Sequence, residues 1–160
     1  AGAKSVNPTV KVISLYSGSF EDQAKGKELG LSLISQKCDI VFAAAGQTGI
    51  GTFQACKEKN ALFIGVDSDQ YNTLPTPGDT VVTSAMKNVD VAVFDTVKAV
   101  QDGTFKAGNQ LFGMKEKAVG LAPWHEFEAK VPQALKDAID KATTAIIDGS
   151  VVVPEDPAKA

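Results

Sequence analysis

Residues 40–70 read IVFAAAGQTGIGTFQACKEKNALFIGVDSDQ. Ile40 to Ala45 is an unbroken apolar run, as expected of a strand buried on both faces. Gly46-Gln47-Thr48-Gly49 interrupts it, and a short helix carrying Ile50, Phe53 and Cys56 follows. Ala61 to Val66 is a second run of strand length, closed by Asp67-Ser68-Asp69-Gln70. Strand, helix and strand in this order make a βαβ unit and commit the chain to a parallel sheet with crossover helices.

The same alternation extends in both directions. Upstream, β-rich Val10 to Tyr16 predicts a further strand, ending in the loop Ser17-Gly18-Ser19-Phe20. A helix is predicted from about Glu21 to Gln36, with Ala24, Leu31, Ile34 and Cys38 as its apolar stripe and lysines on the other face. Downstream, Tyr71 to Asp79 holds two prolines and a glycine and reads as a loop. Thr80 to Ser84 predicts a short strand leading into Met86-Lys87-Asn88. The helix from Val89 to Gln101 is apolar almost all round and needs cover on more than one side, which no evident element supplies. Asn109 to Met114 and Ala118 to Ala122 predict two more short strands. Pro132 opens a last helix, with Leu135, Ile139, Ala142 and Ile146 inward and Gly149 as its stop. The polar tail from Pro154 to Ala160 is expected to fray. The fold class is α/β, a parallel sheet flanked by helices.

Composition narrows the function. With 160 residues, 44% of them hydrophobic, the chain can bury one core. A net charge of −3, with charges mixed along the chain, argues against a dedicated nucleic-acid surface. All 16 basic residues are lysines. The bidentate fork that arginine offers to phosphate is therefore missing, which favours a neutral polar ligand. Cys38, Cys56 and the single histidine, His125, lack metal-site spacing, so the cysteines read as buried thiols, with a disulfide between them allowed but not demanded, and no metal or cofactor is expected. No run of about 18 apolar residues suggests a membrane span. The start Ala-Gly-Ala, without a methionine or signal peptide, suggests a processed or excised product.

In open parallel sheets, ligands sit beyond the carboxyl ends of the strands. Three polar or glycine-rich loops are predicted there: 17–20, 46–48 and 67–70. Phe20 offers a face for stacking on a flat ring, or a staple for its helix. Gly46 allows close backbone approach, or merely a tight turn, while the amides of Gln47 and Thr48 begin a helix, where donors are unpaired. Asp67 can accept two hydrogen bonds from vicinal hydroxyls, as a ribose requires. With Asp69 it could instead hold a divalent cation or cap a helix. Lys87 is a candidate ligand contact or a solvated lysine. The glycines 46, 49 and 51 match neither the dinucleotide fingerprint nor the phosphate loop. His125 has no nucleophile in an elbow context and reads as structural or surface. No matched carboxylate pair suggests acid–base catalysis. The chain does not read as an enzyme.

Several of these stretches resemble one family in order. Tyr16-Ser17-Gly18-Ser19-Phe20 before Asp22 and the helix Lys25-Gly26-Lys27-Glu28-Leu29 is similar to the Bmp family (basic membrane lipoproteins). So are Ala43-Ala44-Ala45-Gly46-Gln47-Thr48-Gly49 and Ile64-Gly65-Val66-Asp67-Ser68-Asp69-Gln70. Thr83-Ser84-Ala85-Met86-Lys87-Asn88-Val89-Asp90 and Val119-Gly120-Leu121-Ala122-Pro123 continue the pattern. The resemblance implies a receptor for nucleosides, purine in particular, that delivers to an ABC transporter permease. It implies a lipoprotein of the cell envelope, periplasmic or on the outer face of the cytoplasmic membrane, with the lipid anchor outside this chain.

By the same resemblance, Phe20 stacks near the base, Asp67 takes the ribose hydroxyls, Lys87 helps hold the sugar, and Gly46, with Gln47 beside it, contributes backbone contact. The implied fold is one lobe of a type I periplasmic binding protein plus a crossover helix belonging to a missing first lobe. Residues 1–79 are then the core of the lobe, 80–106 the crossover strand and helix, and 107–160 the return strands and last helix. The Val89 helix is expected to be covered by that first lobe or by a second copy, as in a domain-swapped dimer. Two other readings stay open from the residues: an α/β enzyme holding a metal at Asp67 and Asp69 over a nucleotide-like substrate, and an interaction domain pairing through the Val89 helix.

Overall fold

In the computed structural model, which describes residues 1–154, the unit at residues 40–70 forms the first half of a four-stranded sheet. The strands are β1 (Ile40–Phe42), β2 (Leu62–Asp67), β3 (Val81–Lys87) and β4 (Val119–Leu121), in that spatial order. β1, β2 and β3 run parallel and β4 is antiparallel to β3, so the sheet is mostly parallel. The helices are α1 (Gly2–Val6), α2 (Gln23–Ser35), α3 (Thr48–Lys59), α4 (Gln70–Thr73), α5 (Val89–Gln101) and α6 (Gln133–Ile147). Two compact units result: Ser17–Val131 holds the sheet, and Ala1–Tyr16 with the chain from Pro132 onward forms the other.

Within the sheet unit, Phe53 of α3 and Phe63 of β2 meet edge to face, 5.7 Å between ring centres. Val41, Cys56, Leu74 and Val81 close around them. α2 begins at Asp22, whose carboxylate accepts from the Lys25 amide at 2.9 Å, a cap worth about 1 kcal/mol. Its buried residues are Gly26 and Gly30, not the expected stripe: Leu31, Ile34 and Cys38 are half-buried and Ala24 is exposed. The helix buries its backbone instead, pressed against α3. A Cβ on Gly26 would lie 1.8 Å from the Thr48 carbonyl oxygen, and one on Gly51 would lie 1.8 Å from that of Gln23. Thr52 Oγ1 donates to the Gly26 carbonyl across this contact at 3.0 Å.

Two predicted strands are absent. Val10 to Tyr16 pairs with nothing in the sheet and belongs to the other unit. Its β-branched residues favour a pleated surface only when a neighbouring ladder supplies one. Asn109 to Met114 is irregular, with Leu111 88% exposed. The free edge of β3 is taken by β4 instead. The α5 bounds match the expected helix, and none of its residues is buried: Val89, Val93, Phe94, Val97 and Val100 are all exposed. In the second unit, α6 runs from Pro132 as its cap to Asp148, with Gly149 beyond it at φ +81°. Of its expected stripe, Ile139 and Ile146 are half-buried, while Leu135 and Ala142 are exposed. Pro154 is the last described residue; the rest of the expected frayed tail, 155–160, lies outside the described residues.

Cys38 and Cys56 are both free thiols. Burial pushes the Cys56 thiol up to about 11. Iodoacetamide at pH 8 should therefore modify Cys38 while sparing Cys56 until denaturant is added, as peptide mass mapping would show. Gly51→Ala should lower unfolding free energy by about 1–3 kcal/mol, the usual cost of overpacking, in a urea melt.

Candidate functional site

Because β1, β2 and β3 are parallel, the segments that follow them emerge along one edge of the sheet. Gly46 and Gln47 lie just past β1, Asp67 ends β2 and Lys87 ends β3. The loop bearing Phe20 is drawn to this edge by α3. The Thr48 amide donates to the Phe20 carbonyl at 3.2 Å, and Thr48 Oγ1 donates to the Ser19 carbonyl at 3.0 Å. Within the loop, Ser17 Oγ donates to the Ser19 carbonyl and the Glu21 amide to Ser19 Oγ. Gly46, at φ +56°, sits so close that a Cβ there would fall 2.9 Å from the Phe20 carbonyl oxygen. Loops 17–20 and 46–48 are thus one packed piece, and the Phe20 ring stands 71% exposed on it.

The tight-turn reading of Gly46 is realised, at positive φ and against the Phe20 carbonyl. The Thr48 amide is not an unpaired donor as expected, because Phe20 occupies it. Gln47 is exposed and caps α3 without a side-chain hydrogen bond.

At the other end of the edge, a register shift between Phe63 and Ile64 of β2 places Asp67 opposite Met86 of β3. Lys87 Nζ then reaches Asp67 Oδ1 at 2.7 Å, with both side chains more than half exposed. An ion pair this open adds little stability, so its interest is chemical. A carboxylate accepts about four hydrogen bonds, and one lysine leaves acceptor capacity for hydroxyls. Asp67 itself is in the left-handed region, φ +67°, which aspartate tolerates better than most residues.

Asp67 and Asp69 are not a matched pair. Asp69 Oδ2 accepts from His125 Nε2 and from Asn72 Nδ2, each at 2.8 Å. Asp69 is the N-cap residue of α4, yet its side chain bonds no backbone amide there. Among the described residues, no group of three or more His, Cys, Asp and Glu side chains could hold a metal ion. Among the described residues, no helix is long and apolar enough to cross a membrane.

Sequence reasoning missed the supports of this edge. Gln70 Oε1 accepts from the Val66 amide at 3.0 Å, and the Gln70 amide donates to Ser84 Oγ at 3.1 Å. Thr83 Oγ1 donates to the Ala122 carbonyl at 2.8 Å. His125, read as structural or surface, stacks on Tyr71 with ring centres 4.1 Å apart and planes 9° from parallel. The only sequence signal for these contacts is a cluster of polar residues beside strand ends, which names no partner.

Comparison with known proteins agrees with this architecture. The chain is 34% identical to Basic membrane protein D of Borreliella burgdorferi strain JD1, over 98% of this chain and 46% of that protein. It is 34% identical to the ABC transporter nucleoside-binding protein BmpA of Lactococcus lactis subsp. cremoris strain MG1363, over 96% of this chain and 47% of that protein. The chain thus spans about half the length of the curated relatives it matches. Among solved structures, a solute-binding protein of an ABC transporter system from Aeropyrum pernix K1 superposes with a TM-score of 0.78 at 25% identity. That match covers 97% of this chain and 51% of the other. A transcriptional activator of the comK gene from Bacillus halodurans superposes at 0.84 with 24% identity, over 96% and 52% of the two chains, a likeness of fold alone. The family model for Bmp, ABC transporter substrate-binding protein PnrA-like, matches residues 1–156. With that match over nearly all its length, and with a loop-lined edge beyond a parallel sheet, the chain belongs to the Bmp family of PnrA-like substrate-binding proteins, a family of transport receptors rather than enzymes.

Proposed function

We propose that this chain forms the second lobe of a nucleoside receptor of an ABC transporter, with purine nucleosides as its ligands. The observation that carries the reading is the pairing, on one sheet edge, of an exposed aromatic ring at Phe20 with an exposed Asp67–Lys87 ion pair. A nucleoside needs those two things: a face for the base and a charged acceptor for vicinal hydroxyls, with a lysine donor beside it. Gly46 and Gln47 bring main chain to the same edge. The absence of arginine fits a ligand without phosphate. The name of the Lactococcus lactis relative, nucleoside-binding, points the same way.

Capture works by closure of two lobes, of which residues 1–79 and 107–160 belong to this one. Residues 80–106 are the crossover, and the uncovered face of α5 packs on the first lobe, or on a second copy in a swapped dimer. The receptor sits in the cell envelope as a lipoprotein, on the outer face of the cytoplasmic membrane or in the periplasm, and hands its solute to a transporter permease. The metal-enzyme alternative is not favoured, since Asp67 and Asp69 are committed to different partners.

Calorimetric titration of inosine, guanosine and adenosine into this chain joined to a first lobe tests the reading. Tight binding is expected with wild type. Asp67→Ala should weaken it roughly a hundred-fold, the scale of a lost pair of hydrogen bonds to a charged group. Phe20→Ala should cost about 1–3 kcal/mol, the usual worth of stacking one base, and Phe20→Trp should retain most of the affinity. Absence of heat with every nucleoside would refute the ligand assignment.

A further inference from the structure

We propose that His125 is a positioning residue for Asp67, acting through the carboxylate of Asp69; the inference rests on the reading of Asp67 as the ligand carboxylate. The turn after β2 has few anchors of its own. The Ser68 amide donates to the Val66 carbonyl at 2.8 Å, and Gln70 ties back to the Val66 amide. Both are local. Two hydrogen bonds join this region to side chains more than fifty residues away, and both end on the short turn His125–Phe127. One is His125 Nε2 to Asp69 Oδ2 at 2.8 Å; the other is Tyr71 Oη, which donates to Glu126 Oε1 at 3.0 Å. Between them, the Tyr71 and His125 rings stack.

The geometry of this clamp is that of a brace. Asp69 and His125 are shielded, with side-chain exposures of 18% and 22%, whereas Asp67 and Lys87 are open. Asp69 Oδ1 is buried with no hydrogen-bond partner, so the two bonds at Oδ2 are the carboxylate's attachments among the described residues. His125 is held at φ +45°, and Asp67, two residues before Asp69, at φ +67°. Non-glycine residues enter this region at a cost and stay when their surroundings over-determine them. For Asp67, the surroundings are Lys87 on the side chain and, on the backbone, the pairing with β3 before the turn and the Asp69 and Gln70 anchors after it. The turn at 125–127 is itself fixed to the sheet, because it follows β4, whose neighbour Ala122 donates its amide to the Ser84 carbonyl. The hydrogen bond to Glu126 holds the Tyr71 phenol above its ordinary pKa, consistent with a proton retained between those two groups.

The test uses two readouts, one free of ligand. In the NMR spectrum of this chain, Asp67 at positive φ should give a strong intraresidue amide–Hα NOE, and the Ser68 amide should exchange slowly. His125→Ala should weaken the NOE and speed exchange at Ser68 and Asn72, while the thermal melt stays cooperative. In the same chain joined to a first lobe, His125→Ala should weaken inosine binding roughly ten-fold, although Asp67 is still present. His125→Gln places an amide donor where Nε2 stood and should recover most of both signals. Unchanged NOE and exchange in His125→Ala would overturn the proposal, as would a His125→Gln variant no better than His125→Ala in either readout. Should wild type bind no nucleoside, the receptor reading falls by itself, and the NMR comparison still decides whether His125 sets Asp67.

Discussion

The register of β2 on β3 is the constraint on which the site depends. Phe63 pairs with Val81, and Ile64 pairs with Thr83, so β3 holds one extra residue, Val82, across that step. Without it, Asp67 would lie opposite Ala85, and every later side chain of β3 would exchange faces, since side chains alternate along a strand. The shift instead sets Asp67 opposite Met86, within reach of Lys87, and sends Ser84 Oγ to the Gln70 amide. A single inserted residue therefore fixes the carboxylate, its cation and the turn between them.

A second constraint lies at the other end of the edge, where α2 and α3 approach with no room for a side chain. That approach brings the start of α3 against the 17–20 loop and lets Thr48 hold it by two hydrogen bonds.

What could be read from the residues follows from what kind of physics left a trace in them. Ile40 to Val66 announced itself as strand, helix and strand because continuous apolar runs bounded by glycine and aspartate have few alternatives. The first run is not buried on both faces as expected, since Ile40 and Phe42 are exposed on an edge strand. The Val89 to Gln101 helix was legible to the residue, and so was its want of cover, borne by one exposed face of Val89, Val93, Phe94, Val97 and Val100. Val10 to Tyr16 misled because β-branched residues report a preference and not a partner. The buried face of α2 was misplaced for the opposite reason: Gly26 and Gly30 carry no side chain for a hydrophobic pattern to count. Gly46 and Asp67 could be put on one edge by topology alone; Phe20 was put there by a strand, Val10 to Tyr16, that does not form, and it reaches the edge through Thr48 instead. The tie of Asp69 to His125, fifty-six residues apart, could not, because nothing local distinguishes that histidine from a solvated one.

The packed loops beneath Phe20 bear on how fast a solute could be captured. The ring is presented by backbone already pinned from both sides, by Thr48 and by the close approach of Gly46. Its main-chain entropy was surrendered during folding, so an arriving solute has little left to order on this wall. On the proposed reading, a wall pre-ordered in this way favours fast association, and differences in affinity then fall mostly on the rate of release.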